Sequence, residues 1–406
     1  MPFWASPEMV RWQAPAAQPS SNGTDFASVA LLLQGGGALG AYQAGVYEAL
    51  CERGIVPSWV AGISIGAINS AIIAGNAPKD RVAKLRAFWE GVSGGSVQWG
   101  QWLPFLAEDP VARGVINRMA AGNTLLSGVP GFFNPRFPPP TLSANGSVEA
   151  TSWYDTAPLR QTLESLVDFD RINAGETRFS VGAVNIRSGN FTYFDNAAQA
   201  IGPEHIMASG ALPPGFPPVE IAGEYYWDGG LVSNTPLDWV LSAPSRLDTL
   251  VLQVDLWSAR GHLPSDLSSV ATRAKEIQYS SRTRAATDQL RERRKLQGAF
   301  RALFAQLPAD LTETPEAKLL IDVCSPARYS IAQLIYHSPT YEGESKDYEF
   351  SRQTMADHWR KGYQQAHHTL DQPAVLRLPD DPTGLAVHDY TSPPDEPVMP
   401  AKSPAD

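Results

Sequence analysis

Within residues 28–75 the chain twice passes from a short apolar run, through a glycine-bracketed turn, into a helix. No other feature restricts the fold as much. SVALLL (28–33) is apolar on both faces, as a strand buried within a parallel sheet must be. It leads through QGGGALG into residues 38–53, where Leu39, Tyr42, Val46, Ala49 and Leu50 share one helical face. PSWVAG (57–62) is a second short strand, and AINSAIIAG (67–75) a second helix. Strand–helix–strand–helix order predicts an α/β sandwich with a largely parallel sheet. RFSVGAVNI and FTYFD, joined by Arg187-Ser188-Gly189-Asn190, predict a hairpin, and DTLVLQVDL (248–256) another buried strand.

The two turns pose a chemical question, because each bares backbone N–H groups at a helix start, where an anion is held. Gly35, Gly37 and Gly40 spell the G-x-G-x-x-G of a dinucleotide site. That reading wants an acidic residue closing the second strand, to hold a ribose hydroxyl. The strand closes instead in Gly62-Ile63-Ser64, and Glu48 and Glu52 belong to the intervening helix. Gly62-Ile63-Ser64-Ile65-Gly66 is a G-x-S-x-G between strand and helix, the setting of a nucleophile elbow. Its glycines allow a sharp turn, and Ser64 falls at a helix N-terminus that favours negative charge. Adjacent parallel strands would set the 34–37 loop beside Ser64, with amides facing the carbonyl under attack. An oxyanion hole therefore explains both motifs, and a dinucleotide explains one.

A nucleophilic serine needs a base. None of the seven histidines lies in a motif that suggests catalysis; His337, in LIYHSPTYEG, is the best of them for a Ser-His-Asp alternative. Asp228 is the stronger candidate. In YYWDGGLVSNTPL (225–237) it ends a short aromatic strand and is followed by Gly229-Gly230. A carboxylate stripped of water there has a raised pKa and accepts a hydroxyl proton more readily.

GGGALG, GISIG and DGG occur here in the order found in the patatin-like phospholipases, which this chain resembles over about residues 28–257. MASGALPPGFPPVEI (207–221) is similar to the segment that family places before its aspartate. The resemblance implies a three-layer α/β/α fold and a serine lipid acyl hydrolase with a Ser-Asp dyad, acting without metal or cofactor on a lipid or other ester. It makes Ser64 the nucleophile and Asp228 its base. The backbone of Gly35, Gly36, Gly37 and Ala38 would hold the oxyanion, with Gly62, Gly66, Gly229 and Gly230 supporting the motifs. Many relatives carry Lys or Arg where this chain has Leu39, so a phosphate-bearing substrate is less directly implied. An esterase of non-phospholipid or short hydroxyacid esters, or a non-hydrolytic lipid- or partner-binding module, is the alternative.

The chain divides into a polar tail (1–26), the catalytic domain (27–260), an extension (261–370) and a Pro-rich tail (371–406). The extension resembles the helical C-terminal part of a bacterial subgroup of the family. In 265–304, Leu267, Val270, Ala274 and Ile277, then Leu290, Leu296, Phe300 and Leu303, recur at helical spacing, a stripe expected to cover the α/β core. Nine basic residues between 273 and 301 face only Glu276, Asp288 and Glu292, in a chain of net charge −10. Such a run is a candidate for peripheral contact with anionic lipid, although a solvated helix face is its commoner cause. Two aromatic, Pro-rich loops, 93–110 and 128–140, would form either a lipid entry lip or a closure of the sheet edge.

The acidic balance argues against nucleic acid as a partner. Two cysteines, at no metal-ligand spacing, suit a reducing compartment. No signal-peptide pattern and no run of ~20 apolar residues is found. A cytoplasmic protein, peripheral at most on a membrane, is expected.

Overall fold

The computed structural model describes residues 23–95, 109–243, 247–281, 283–324, 327–339 and 341–391. β1 (Ser28–Leu33) lies inside a nine-stranded sheet, between β2 (Trp59–Gly62) and β9 (Thr249–Asp255), parallel to both. All three strands are buried along their whole length, as their unbroken apolar runs require. A separate two-stranded ladder joins β3 (Asn134–Pro135) to β4 (Tyr154–Asp155).

The pleat of β1 defines the layers. Val29, Leu31 and Leu33 pack into a core with helices α1 (Ala41–Glu52) and α2 (Ile65–Ala74). Ala30 and Leu32 face a second core with Leu237, Val240 and Leu241 of the Leu237–Ser242 helix and Leu290 of the Thr283–Phe304 helix. The result is a three-layer α/β/α sandwich with a mainly parallel sheet.

Beyond β5 (Arg178–Asn185) the sheet turns antiparallel. β5 runs parallel to β2 and forms the expected hairpin with β6 (Phe191–Asp195). β7 (Val219–Ile221) and β8 (Glu224–Asp228) are antiparallel, and β8 returns antiparallel onto β5.

The region past 261 is more than a helical appendage. β10 (Tyr329–Ile335) adds to β9, and β11 (Leu385–Asp389) to β10, both in parallel. YSIAQLI carries no local turn signal, so its strand character arises from the exposed edge of β9 that it covers. β11 falls inside the stretch expected to be an extended tail; residues 1–22 and 392–406 lie outside the described residues. The Arg352–Leu370 helix packs along α1, its Trp359 donating to Glu48 and its Tyr363 to Glu52. That contact accounts for both acids weighed against the dinucleotide reading.

The expected long helix is two helices, Leu267–Tyr279 and Thr283–Phe304. Their orientation corrects the sequence reading. Leu267, Val270 and Ile277 are 87%, 49% and 59% exposed, so this stripe faces solvent and not the core. The polar side of the first helix faces inward instead: Arg273 donates to the carbonyls of Ser258 and Ala259, and Lys275 to Asp347. Arg293 donates to the Leu241 carbonyl, and buried Arg294 to those of Ala327 and Thr383. Much of the basic run thus serves internal packing.

Of the two aromatic loops, most of 93–110 lies outside the described residues. In the other, Phe132 and Phe133 are buried against Tyr154, Phe216 and Phe350, while Phe137 is fully exposed. Among the described residues, no helix is long and apolar enough to cross a membrane.

Candidate active site

Ser64 sits between the last residue of β2 and the first of α2, with φ 55° and ψ −123°. A non-glycine residue held there stores roughly 1–3 kcal/mol of strain, which the packing on either side must offset. The neighbouring glycines make the turn sterically feasible. A Cβ on Gly62 would lie 2.2 Å from the Gly66 carbonyl oxygen, and one on Gly66 2.1 Å from that of Leu33. Ile63 and Ile65 are buried beside it, whereas Ser64 itself is partly exposed. Its N–H donates to Ser209 Oγ at 3.0 Å, and the Ser209 hydroxyl donates to the Gly182 carbonyl at 2.7 Å.

Sheet topology delivers Asp228 to this point. One edge of β5 is taken by β6, so β2 and β8 share the other. β2 pairs as far as Gly62 opposite Val181, and β8 arrives from the opposite direction with Asp228 opposite Ala183. The two strands meet end to end, two residues apart along β5, which brings the Ser64 side chain near enough to Asp228 to favour its ionised form. Asp228 also accepts from the Gly230 N–H at 2.7 Å, and its own N–H donates to the Ala211 carbonyl at 3.0 Å. Gly229 is buried, a Cβ there lying 2.6 Å from the Gly182 oxygen. Burial pushes the Asp228 carboxyl up to about 7, against the opposing effect of the Ser64 side chain and the Gly230 N–H.

The glycine loop borders Ser64 from β1. A Cβ on Gly35 would stand 3.1 Å from the Ser64 Cβ. Two of its four amides are already engaged: Gly35 N–H with the Asn234 carbonyl at 3.4 Å, and Ala38 N–H with the Asp347 carbonyl at 2.7 Å. Ala38 therefore leaves the group of free donors. Gly36 and Gly37 N–H have no acceptor among the described residues, and both glycines are partly exposed. Gly37 has φ +55° and a Cβ there would lie 2.0 Å from the Asp347 oxygen, so only glycine fits. Leu39 is buried and brings no charge to the loop.

Asn234 ties the two halves together. Its Nδ2 donates to the Gly35 carbonyl (3.0 Å) and the Tyr279 carbonyl (2.9 Å), and Trp257 Nε1 also reaches the Gly35 oxygen (2.9 Å). Ser209 and Asn234 lie in segments quoted from the sequence, but nothing local marked them; Trp257, Tyr279 and Asp347 had no sequence signal at all.

Among the described residues, no histidine bonds to Ser64 or Asp228. His358 is buried against Glu342, and His205 against Gly202 and Glu204. His337 follows β10, which lies three strands from β2, or ~14 Å at ordinary strand spacing. No group of acids, histidines and cysteines among the described residues has the geometry to hold a metal ion.

A family model described as patatin-like phospholipase matches residues 31–241, more than half of the 406. A second, described as patatin phospholipase, matches residues 277–382. No curated protein matches the chain. Among solved structures, VipD from Legionella pneumophila is similar, with 18% identity and a TM-score of 0.38 over 85% of this chain and 66% of that one. This chain therefore spans just under two thirds of that protein's length.

Proposed function

The chain belongs to the patatin-like phospholipase family, whose general activity is lipid acyl hydrolysis, and on that premise we propose that it is a serine hydrolase of carboxylic esters working through a Ser64–Asp228 dyad. One observation carries the reading: β2 and β8 meet end to end on β5, setting a strained, partly exposed serine beside a buried carboxyl raised to about 7. A base of that pKa is half ionised near neutral pH and takes a proton more readily than an ordinary aspartate.

In the proposed first step, Asp228 takes the Ser64 proton as Oγ attacks the ester carbonyl. The N–H groups of Gly36 and Gly37 receive the developing oxyanion. Because the surrounding protein already fixes them, they stabilise that charge without reorganising. The C–O bond to the alcohol then breaks, and Asp228 returns the proton to the departing oxygen. Water enters, gives a proton to the same carboxylate and attacks the acyl-serine. Ser64 regains its proton as the free acid leaves.

With Leu39 buried, the loop holds no cation for a phosphate, which favours esters recognised by their acyl chain. Phospholipids, lysophospholipids and neutral esters all remain within the proposal. Contact with anionic membranes through the run 273–301 would draw on fewer than its nine charges, since Arg273, Lys275, Arg293 and Arg294 are engaged within the chain.

The deciding experiment measures hydrolysis of p-nitrophenyl esters of rising chain length, and of phosphatidylcholine and its lyso form in vesicles. Wild type is compared with Ser64→Ala, Asp228→Asn and His337→Ala. Activity abolished in the first two and intact in the third supports the dyad. Activity lost with His337 overturns it.

A further inference from the structure

The Leu267–Tyr279 helix turns its apolar stripe to water and its polar side inward, an arrangement that costs hydrophobic burial and so asks what the inner side accomplishes. Its last residue offers the Tyr279 carbonyl, which accepts from both Asn234 Nδ2 (2.9 Å) and Gln34 Nε2 (3.1 Å). Asn234 holds the Gly35 carbonyl, and Gln34 precedes the glycine loop directly. One turn earlier, Lys275 Nζ donates to Asp347 Oδ1 at 2.5 Å and to the Glu344 carbonyl at 3.2 Å. Glu276 accepts from Lys346, whose Nζ also reaches Ser338 Oγ at 2.9 Å.

Residues 341–350 contain no helix or strand, so side chains must fix them. Lys275 is the only residue outside 341–350 that donates a hydrogen bond to the Asp347 carboxylate among the described residues. Both side chains are largely withdrawn from water, at 25% and 18% exposure, which strengthens the pair relative to a surface one. The Lys275 ammonium also lies 5.2 Å from the Tyr348 ring and 5.8 Å from that of Trp257.

Asp347 in turn touches the loop through its backbone. Its carbonyl accepts the Ala38 N–H at 2.7 Å and occupies the space where any side chain on Gly37 would go. The position of that carbonyl therefore limits how the Gly37–Ala38 peptide can rotate. That rotation decides whether the Ala38 amide is satisfied internally while those of Gly36 and Gly37 stay available.

We propose that the Lys275–Asp347 ion pair is a positioning pair for the oxyanion loop, so that the C-terminal region completes the active site. The inference rests on the hydrolase reading given above. Neither residue touches the reacting atoms. Lys275 fixes Asp347, Asp347 fixes the Ala38 amide, and the Gly36 and Gly37 amides keep the orientation that the transition state requires.

The test uses full-length protein carrying Lys275→Met, Lys275→Arg or Asp347→Asn, with wild type and Ser64→Ala alongside. It reads kcat and KM on the best p-nitrophenyl ester, the rate of Ser64 labelling by a fluorophosphonate, and the thermal midpoint. Loss of one oxyanion donor lowers kcat by about 10²–10³-fold, so a misplaced loop should lower it by about 10–100-fold. KM should barely change, labelling should slow in parallel with kcat, and Lys275→Arg should recover most of both. The double variant Lys275→Met/Asp347→Asn should be little worse than either single change. If Lys275→Met does not fold, Asp347→Asn carries the same test, because it keeps the side-chain shape. Normal kcat and labelling in the charge-removing variants overturn the inference, and so does a lower thermal midpoint with kcat unaffected below it. Absence of Ser64-dependent turnover in wild type brings down the hydrolase reading, and the inference with it. Turnover in wild type that Lys275→Met leaves untouched brings down the inference alone.

Discussion

Two aspartates end separate strands of the sheet in comparable burial, yet their surroundings suit them to different tasks. Asp228 closes β8 at 2% exposure, and Asp255 closes β9 at 1%. Burial raises both, to about 7 and about 6. Asp255 is enclosed by donors: Ser281 Oγ at 2.5 Å, Gln253 Nε2 at 2.6 Å and Thr235 Oγ1 at 3.3 Å. None of these groups stands on a strained turn beside free amides. Asp228 has one backbone donor, the Gly230 N–H, and stands beside a partly exposed serine with φ 55°. The contrast teaches that a perturbed carboxyl alone does not mark a base. On the proposed reading, what sets Asp228 apart is that the hydroxyl beside it belongs to a partly exposed residue.

The comparison breaks most sharply under substitution. Ser64→Ala and Asp228→Asn are each expected to lower kcat by about 10⁴-fold or more, since nucleophile and base act as one unit. Asp255→Asn should keep kcat within about tenfold, because its partners only support the loop through Gln34 and Thr235. Steady-state kinetics on one ester checks all three, and a dead Asp255→Asn enzyme would erase the distinction.

Gly36→Val comes next. Its Cβ would lie 2.8 Å from Leu256 Cδ1 and 3.1 Å from Trp257 Nε1, so the loop must shift. A fall in kcat of about 10²–10³-fold is expected. Full activity would mean that the oxyanion is held elsewhere.

The pH dependence sharpens the contrast further. Asp228 must be ionised to accept the serine proton, so kcat/KM should drop about tenfold per pH unit below about 7. Asp255→Asn should leave that limb in place, as a pH–rate profile would show.

The smallest effect is on stability, where the two acids should behave alike. Each native carboxyl has a pKa above its ordinary 3.8. Between that value and about 7 or 6 the native state binds the extra proton, so each contributes a loss of stability as pH rises through its window. Asp228→Asn should therefore raise the thermal midpoint at pH 8 and lose that advantage near pH 4. Asp255→Asn should gain less, because its window is narrower and an amide cannot accept from all three donors. Thermal scans at both pH values check the sign; a lower midpoint for Asp228→Asn at pH 8 would contradict the cost assigned to burying its charge.

Much of the site was legible because its parts are local. SVALLL coincides with β1, and the close approach of Gly62 to Gly66 is local to the elbow, whereas Gly35, Gly36 and Gly37 are confined by Asn234, Leu256, Trp257 and Asp347. Which loop amides are free was not legible, since Ala38 is satisfied by Asp347, more than three hundred residues away. The stripe Leu267, Val270 and Ile277 misled for a related reason. Helical spacing shows which residues share a face, but not whether that face meets the core or water, and here carbonyls and carboxylates claimed the polar side.

By itself, then, the sequence determined the α/β alternation, the two glycine turns and the identity of the serine and its candidate acid, because periodicity and turn chemistry act over short range. Tertiary structure alone decided that β8 would meet β2 end to end on one edge of β5, placing Asp228 against Ser64. It also decided that β10 and β11 would complete the sheet and that Lys275 and Asp347 would stand behind the glycine loop. Such contacts join distant residues through unpaired strand edges and buried polar groups. Those demands are met only once the whole chain has folded, so no local pattern records them.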